Sequence, residues 1–122
     1  MIVEFKLKSL YICVKDMERA ICFYEGLLCQ PVTKRDEIYS VFDIGGFRYG
    51  LFAYEKMNEP HTYGNNCLPS LEVSDIHLIQ KQLEKMNCKI VFPLTKIGDN
   101  WVFEFIDSEG NQIEVTSPIE NG

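Results

Sequence analysis

Laid over itself with a shift of 59 residues, the chain repeats. Val14 falls on Val73, Asp16 on Asp75, Glu25 on Glu84, Cys29 on Cys88 and Val32 on Val91, which makes five identities in 24 gap-free positions. The order of structural signals repeats with the identities, and that order constrains the fold more than they do. Each half opens with a short strand, Leu10–Val14 and Leu68–Val73, closed by an Asp. Asp16 and Asp75 stand where a carboxylate accepts the first free N–H groups of a helix. The spacing then predicts helices near 17–28 and 76–86. Met17, Ala20, Ile21, Tyr24, Leu27 and Leu28 form the apolar stripe of the first, and Ile76, Ile79, Leu83 and Met86 that of the second. Extended runs follow at Gln30–Lys34 and Lys89–Phe92. Two strands around a Gly-bearing turn complete each half: Glu37–Asp43 and Phe47–Ala53, then Asn100–Ile106 and Gln112–Thr116. The pattern is βαβββ twice, an α+β fold.

Composition narrows the partners. The net charge is −6 and the pI near 4.9, which disfavours a protein that tracks phosphates along nucleic acid or anchors to a membrane through basic residues. No apolar run approaches bilayer length, and Met1–Lys8 alternates apolar with polar residues, unlike a signal peptide. The five cysteines are an odd number without a CxxC pair. They read as free thiols acting as buried apolar filler in a reducing, cytoplasmic compartment. The two histidines, His61 in a loop and His77 on the second helix, read as surface residues.

Leu10–Asp16, Ala20–Leu28 and Phe103–Val115 resemble the vicinal oxygen chelate superfamily, the group of glyoxalases, bleomycin-resistance proteins and extradiol dioxygenases. The likeness runs over about residues 5–117. It departs at Leu28-Cys29, where the family has Leu-Gly, and at Ser108, where the family's turn has Pro. The resemblance implies one domain: module 1 at about 5–54, a linker at 55–66 and module 2 at about 67–117. The two βαβββ modules are expected to form a curved mixed sheet around a cleft, with the helices on its convex side. It also implies a homodimer. In metal-dependent members the ligands would map to Ser9, Gly50, Leu68 and Glu114, of which Glu114 alone is a surviving ligand type. No metal or cofactor is therefore expected, and catalysis is not favoured.

Strand alternation, anchored on those four positions, gives an expected cleft lining. One side holds Tyr11, Phe42, Arg48 and Phe52, with Phe42 opposite Arg48 and Ile38 and Ser40 sharing its face. The other holds Leu68, Glu72, Val102, Glu104 and Glu114, with Glu104 facing Glu114 across adjacent strands. Trp101, Phe103 and Phe105 then face the helix. Apolar walls with a few convergent polar groups suit a small organic ligand. The leading reading is a metal-free binding protein resembling the antibiotic-binding branch of the family. The alternatives are a divalent-metal lyase, isomerase or dioxygenase with a Glu-based site, and an interaction or sensory module with a vestigial cleft.

Overall fold

The computed structural model describes residues 7–57 and 68–119. The chain divides into two compact units that part between residues 62 and 63. Unit 1 contains β1 (Ser9–Cys13), α1 (Met17–Leu28), β2 (Tyr39–Ile44) and β3 (Phe47–Phe52), followed by a 3₁₀ turn at Tyr54–Met57. Unit 2 contains β4 (Ser70–Glu72), α2 (Ile76–Lys85), β5 (Ile90–Ile97), β6 (Asn100–Ile106) and β7 (Gln112–Pro118). The sheets are mixed, three strands in the order β1-β3-β2 and four in the order β4-β7-β6-β5, and neither closes into a barrel. This is the α+β arrangement the repeat predicts.

The helices start where the two aspartates place them. Asp16 accepts from the Arg19 N–H at 3.1 Å and Asp75 from the Leu78 N–H at 3.1 Å. Each helix is the crossover that lets the first strand run parallel to the last, β1 beside β3 and β4 beside β7. The ends of the helices differ. Asn87 takes a left-handed conformation (φ 60°), and the N–H groups of Asn87 and Cys88 reach back to the carbonyls of Glu84 and Leu83. In unit 1 the left-handed residue is Cys29 (φ 55°), a side chain that fits that region less well than the Gly of the family pattern.

Each helix buries its stripe on one face of its own sheet. In unit 1, Met17, Ala20, Ile21, Tyr24 and Leu27 are buried with Ile12, Phe42, Tyr49 and Leu51. The Tyr49 hydroxyl donates to that of Tyr24 at 3.0 Å, so the one polar group of each buried ring is paired. In unit 2, Ile76 and Leu83 join Phe103, Phe105, Ile113 and Val115.

Three expectations are corrected. The run Gln30–Lys34 is not a strand: only Lys34 bridges to Val41. Pro31 lacks a ladder donor there, and side chains substitute for the missing ladder. The Asp43 N–H donates to Thr33 Oγ1 at 2.8 Å, and Gln30 Nε2 donates to the Asp43 carbonyl at 3.1 Å. In unit 2 the corresponding run is a full strand reaching Ile97, with register shifts on both sides of Phe92, the second of which spans Pro93. Second, Cys22 and Cys29 are exposed rather than core filler, because both lie off the buried stripe of α1. Third, Phe42 does not face the same way as Arg48. Its side chain is fully buried beneath α1, 6.3 Å from the Tyr24 ring centre, and its strand partner is Tyr49. Ser40 lies on that helix side too, fully buried. The cause is the β2–β3 turn. Gly45 and Gly46 both have positive φ (58° and 90°), so two residues alone make the turn and Ile44 pairs with Phe47. The expected register was one residue off, and one residue exchanges the faces.

Candidate functional site

With each helix on one face, the opposite face of each sheet carries the remaining side chains. On unit 1 this open face aligns Ser9, Tyr11 and Cys13 of β1 with Arg48, Gly50 and Phe52 of β3 in register. From β2 come Asp43, Val41 and Tyr39, opposite those same three β3 residues. Tyr11, Arg48 and Phe52 thus share a face as expected, while Tyr39 stands among them in place of Phe42.

Four rings gather there. Tyr11 lies 5.4 Å from Phe52, 6.3 Å from Tyr39 and 6.0 Å from Tyr54, and Phe52 lies 4.6 Å from Tyr54, all between ring centres. The Tyr54 hydroxyl donates to that of Tyr11 at 3.1 Å. Tyr11 is 49% exposed and offers this group an accessible ring. Tyr39 is steered into place by Asp36, whose Oδ2 accepts from the N–H groups of Ile38 and Tyr39 at 3.0 and 3.1 Å. Those two backbone donors hold the Asp36 carboxyl below the usual carboxylate range. The lowered value means this contribution is complete above the unfolded carboxylate range and is lost as pH falls through the folded one.

Gly50 is shaped by the same ring. A Cβ built on Gly50 would lie 2.6 Å from the Tyr39 hydroxyl oxygen and 2.7 and 2.9 Å from two ring carbons. Tyr39 therefore occupies the volume that any side chain at position 50 would need. Cys13 lies on this face as well. Burial pushes its thiol pKa up, as it does for Cys88, where Asp107 adds to the effect, so both stay protonated and poorly nucleophilic near neutral pH.

The open face of unit 2 is acidic. Ser70 pairs with Glu114 and Glu72 with Thr116 between β4 and β7. Glu104 faces Glu114, and Val102 faces Thr116, between β6 and β7. The Glu114 N–H donates to the Pro69 carbonyl at 2.9 Å and so points away from β6. Glu104 and Glu114 therefore form the closely spaced, non-hydrogen-bonded kind of cross-strand pair, with Cα atoms about 4.5 Å apart. Each carboxylate has a neutral donor: the Ser70 hydroxyl donates to Glu114 Oε1 at 2.7 Å, and the Gln112 side-chain amide donates to Glu104 Oε1. Leu68 lies just ahead of β4 and is 40% exposed. Trp101 is half-buried on the helix side, edge-on to the exposed His77 at 6.0 Å. His61 and Cys67 lie outside the described residues.

These residues do not fit the divalent metal that the family's metal-dependent members hold. Gly50 has no donor and its space is filled by Tyr39; Leu68 has none; a Ser9 hydroxyl is a poor ligand; one Glu114 oxygen is already engaged. Among the described residues no three His, Cys, Asp or Glu side chains come together as a metal cluster.

Two mixed-sheet units, βαββ and then βαβββ, each with one helix-covered and one open face, define a glyoxalase-type fold. The family model for the Glyoxalase/Bleomycin resistance protein/Dioxygenase superfamily matches residues 6–115, and the chain belongs to that superfamily. Solved structures agree on the fold. A glyoxalase/bleomycin resistance protein/dioxygenase from Nocardioides is 16% identical, with a TM-score of 0.77 over 100% of this chain and 89% of that one. A glyoxalase/bleomycin resistance protein/dioxygenase family enzyme from Burkholderia phytofirmans PsJN is 14% identical, with a TM-score of 0.76 over 94% and 100%. An integron cassette protein from the mobile metagenome of V. cholerae is 19% identical, with a TM-score of 0.76 over 96% and 98%. No curated protein sequence matches the chain.

Two outcomes follow from this geometry. Gly50→Ala must push the far end of the half-exposed Tyr39 ring aside and is expected to lower stability by up to about 1 kcal/mol in urea unfolding. In a Tyr39→Ala background the same change should be nearly neutral, and an undiminished cost there would show that the two residues do not share that volume. Glu114→Gln keeps an acceptor for Ser70 and removes one of two facing charges. Near neutral pH and low salt it should stabilise the protein by roughly 0.5 kcal/mol, shrinking as salt is added; a loss of stability would mean that the charge is compensated.

Proposed function

We propose that the chain is a metal-free, cytoplasmic small-molecule-binding protein resembling the antibiotic-binding branch of its superfamily. One observation carries the reading: the Tyr39 ring lies over a glycine where the family's metal-dependent members supply a ligand, and it stands among Tyr11, Phe52 and Tyr54. On the resemblance, a position that would supply a donor lies instead under an aromatic ring. An aromatic surface favours a planar organic molecule, through burial and through offset or edge-on ring contacts of about 0.5–1.5 kcal/mol each. Taken by itself, the open face of unit 2 carries Glu72, Glu104 and Glu114, which favour a cationic group.

We take residues 1–122 to be one domain and the chain to form a homodimer. Sedimentation at micromolar concentration should then give a species of twice the 14.1 kDa chain mass; a 14 kDa species would overturn the dimer.

Ligand binding is tested by thermal unfolding with bleomycin and a panel of small aromatic cations. A ligand present at about a hundred times its Kd adds about 2.7 kcal/mol and raises the midpoint by several degrees. The rise should vanish in Tyr11→Ala and persist after exhaustive chelation. A rise that requires a divalent metal, with about one metal per chain lost on Glu114→Ala, would overturn the metal-free reading.

A further inference from the structure

A second concavity lies on the helix side of unit 2, away from either open face. It has a volume of about 420 Å³ and is bounded by the start of α2 (Asp75, Ile76 and His77), Trp101 of β6, Ser117 of β7 and Ile119. Three independent features converge there. First, the α2 N-terminus is only partly capped. The Leu78 N–H goes to Asp75 Oδ1 and the Ile79 N–H to the Asp75 carbonyl, whereas the N–H groups of Ile76 and His77 have no acceptor among the described residues. Second, Ser117 is 4% exposed and its hydroxyl has no hydrogen-bond partner among the described residues. It pairs with Trp101 across the sheet, on the face that α2 covers, and lines the concavity. A buried hydroxyl left unpaired costs about 1–3 kcal/mol, which an incoming acceptor would recover. Third, Asp75 uses one carboxylate oxygen as the cap, and Oδ2 has no partner among the described residues.

These groups ask for opposite things within one small space. Two backbone N–H groups, a hydroxyl and the positive end of a helix favour a carboxylate. A carboxylate oxygen beside them disfavours a bare anion and favours an ammonium. The Trp101 ring and Ile119 offer apolar surface next to both. We infer that the pocket at the start of α2 binds a free α-amino acid, its carboxylate on the Ile76 and His77 N–H groups and Ser117, its ammonium on Asp75, its side chain against Trp101. A zwitterion satisfies both signs, and being neutral overall it is not repelled by a chain of net charge −6.

Trp101 is the only tryptophan of the chain, so its fluorescence reports on this pocket directly. The probe is L-leucine, which does not absorb at the wavelengths used, titrated beside N-acetyl-L-leucine and L-leucinamide. Leucine should give a saturable change in Trp101 emission below about 10 mM, and each blocked form should bind at least about tenfold more weakly. Asp75→Asn keeps a capping side chain and removes the charge. It should leave the helix signal in circular dichroism unchanged and weaken leucine about tenfold. Asp16→Asn, the same change on α1, should not affect leucine binding. Ser117→Ala should weaken it severalfold. A flat Trp101 signal, equal binding of the blocked forms, or an Asp75→Asn variant that binds as well as the parent would each overturn the proposal. None of these results bears on the aromatic face of unit 1, whose probes and variants differ.

Discussion

The burial of one helical stripe against one face of a small mixed sheet determines the rest of this structure. Among the described residues each unit has a single α-helix, and a single helix covers a single face. The other face must then be filled by residues that tolerate partial exposure or ask for a partner: tyrosines and Phe52 in unit 1, carboxylates and hydroxyls in unit 2. Because strand side chains alternate with period two, the choice of covered face assigns every residue at once. Phe42 and Tyr39 are three residues apart on one strand, and their opposite fates, fully buried against α1 and set among the open rings, follow from that alternation.

The two units solve the same problem with different materials. Both begin with an Asp-capped helix and both pair the first strand in parallel with the last. Pro31 then removes a ladder donor in unit 1, and the second strand contracts to one bridge supported by Thr33 and Gln30. In unit 2 a proline sits inside the edge strand β5 and is absorbed as a register shift. The repeat is therefore closest in its first strand and helix, where the cap and the apolar stripe are local, and loosest where backbone pairing depends on distant partners.

Unit 1 also shows how a glycine can be informative through what stands over it. Gly50 has no steric need of its own, such as a left-handed turn would impose; its lack of a side chain is required by the ring of Tyr39. Position 50 thereby carries no side-chain donor, and its space is filled by aromatic area. On unit 2 Glu114 is held by Ser70 and faces another acid. The electrostatics of that face are thus set by a pair of charges at close cross-strand distance.

The sequence by itself determined the features that depend on local chemistry. The helices are legible because Asp16 and Asp75 accept from N–H groups three residues on and the apolar stripes need only helical periodicity. The Asp107–Asn111 turn, closed by the Asp107 N–H to the Asn111 carbonyl at 2.8 Å, placed Glu104 opposite Glu114 because its residues specify its length. The β2–β3 turn carried the same kind of information in Gly45-Gly46, whose tolerance of positive φ at both positions favours a two-residue turn; read that way, it would have placed Tyr39 rather than Phe42 on the open face. Other features were decided only by the tertiary structure. Tyr54 joins the rings from outside any strand, the Tyr39 ring lies over Gly50 across two strands, and Ser117 meets the start of α2 some forty residues away. Such contacts are set by side-chain directions that no local periodicity encodes, because they exist only once separate segments have packed.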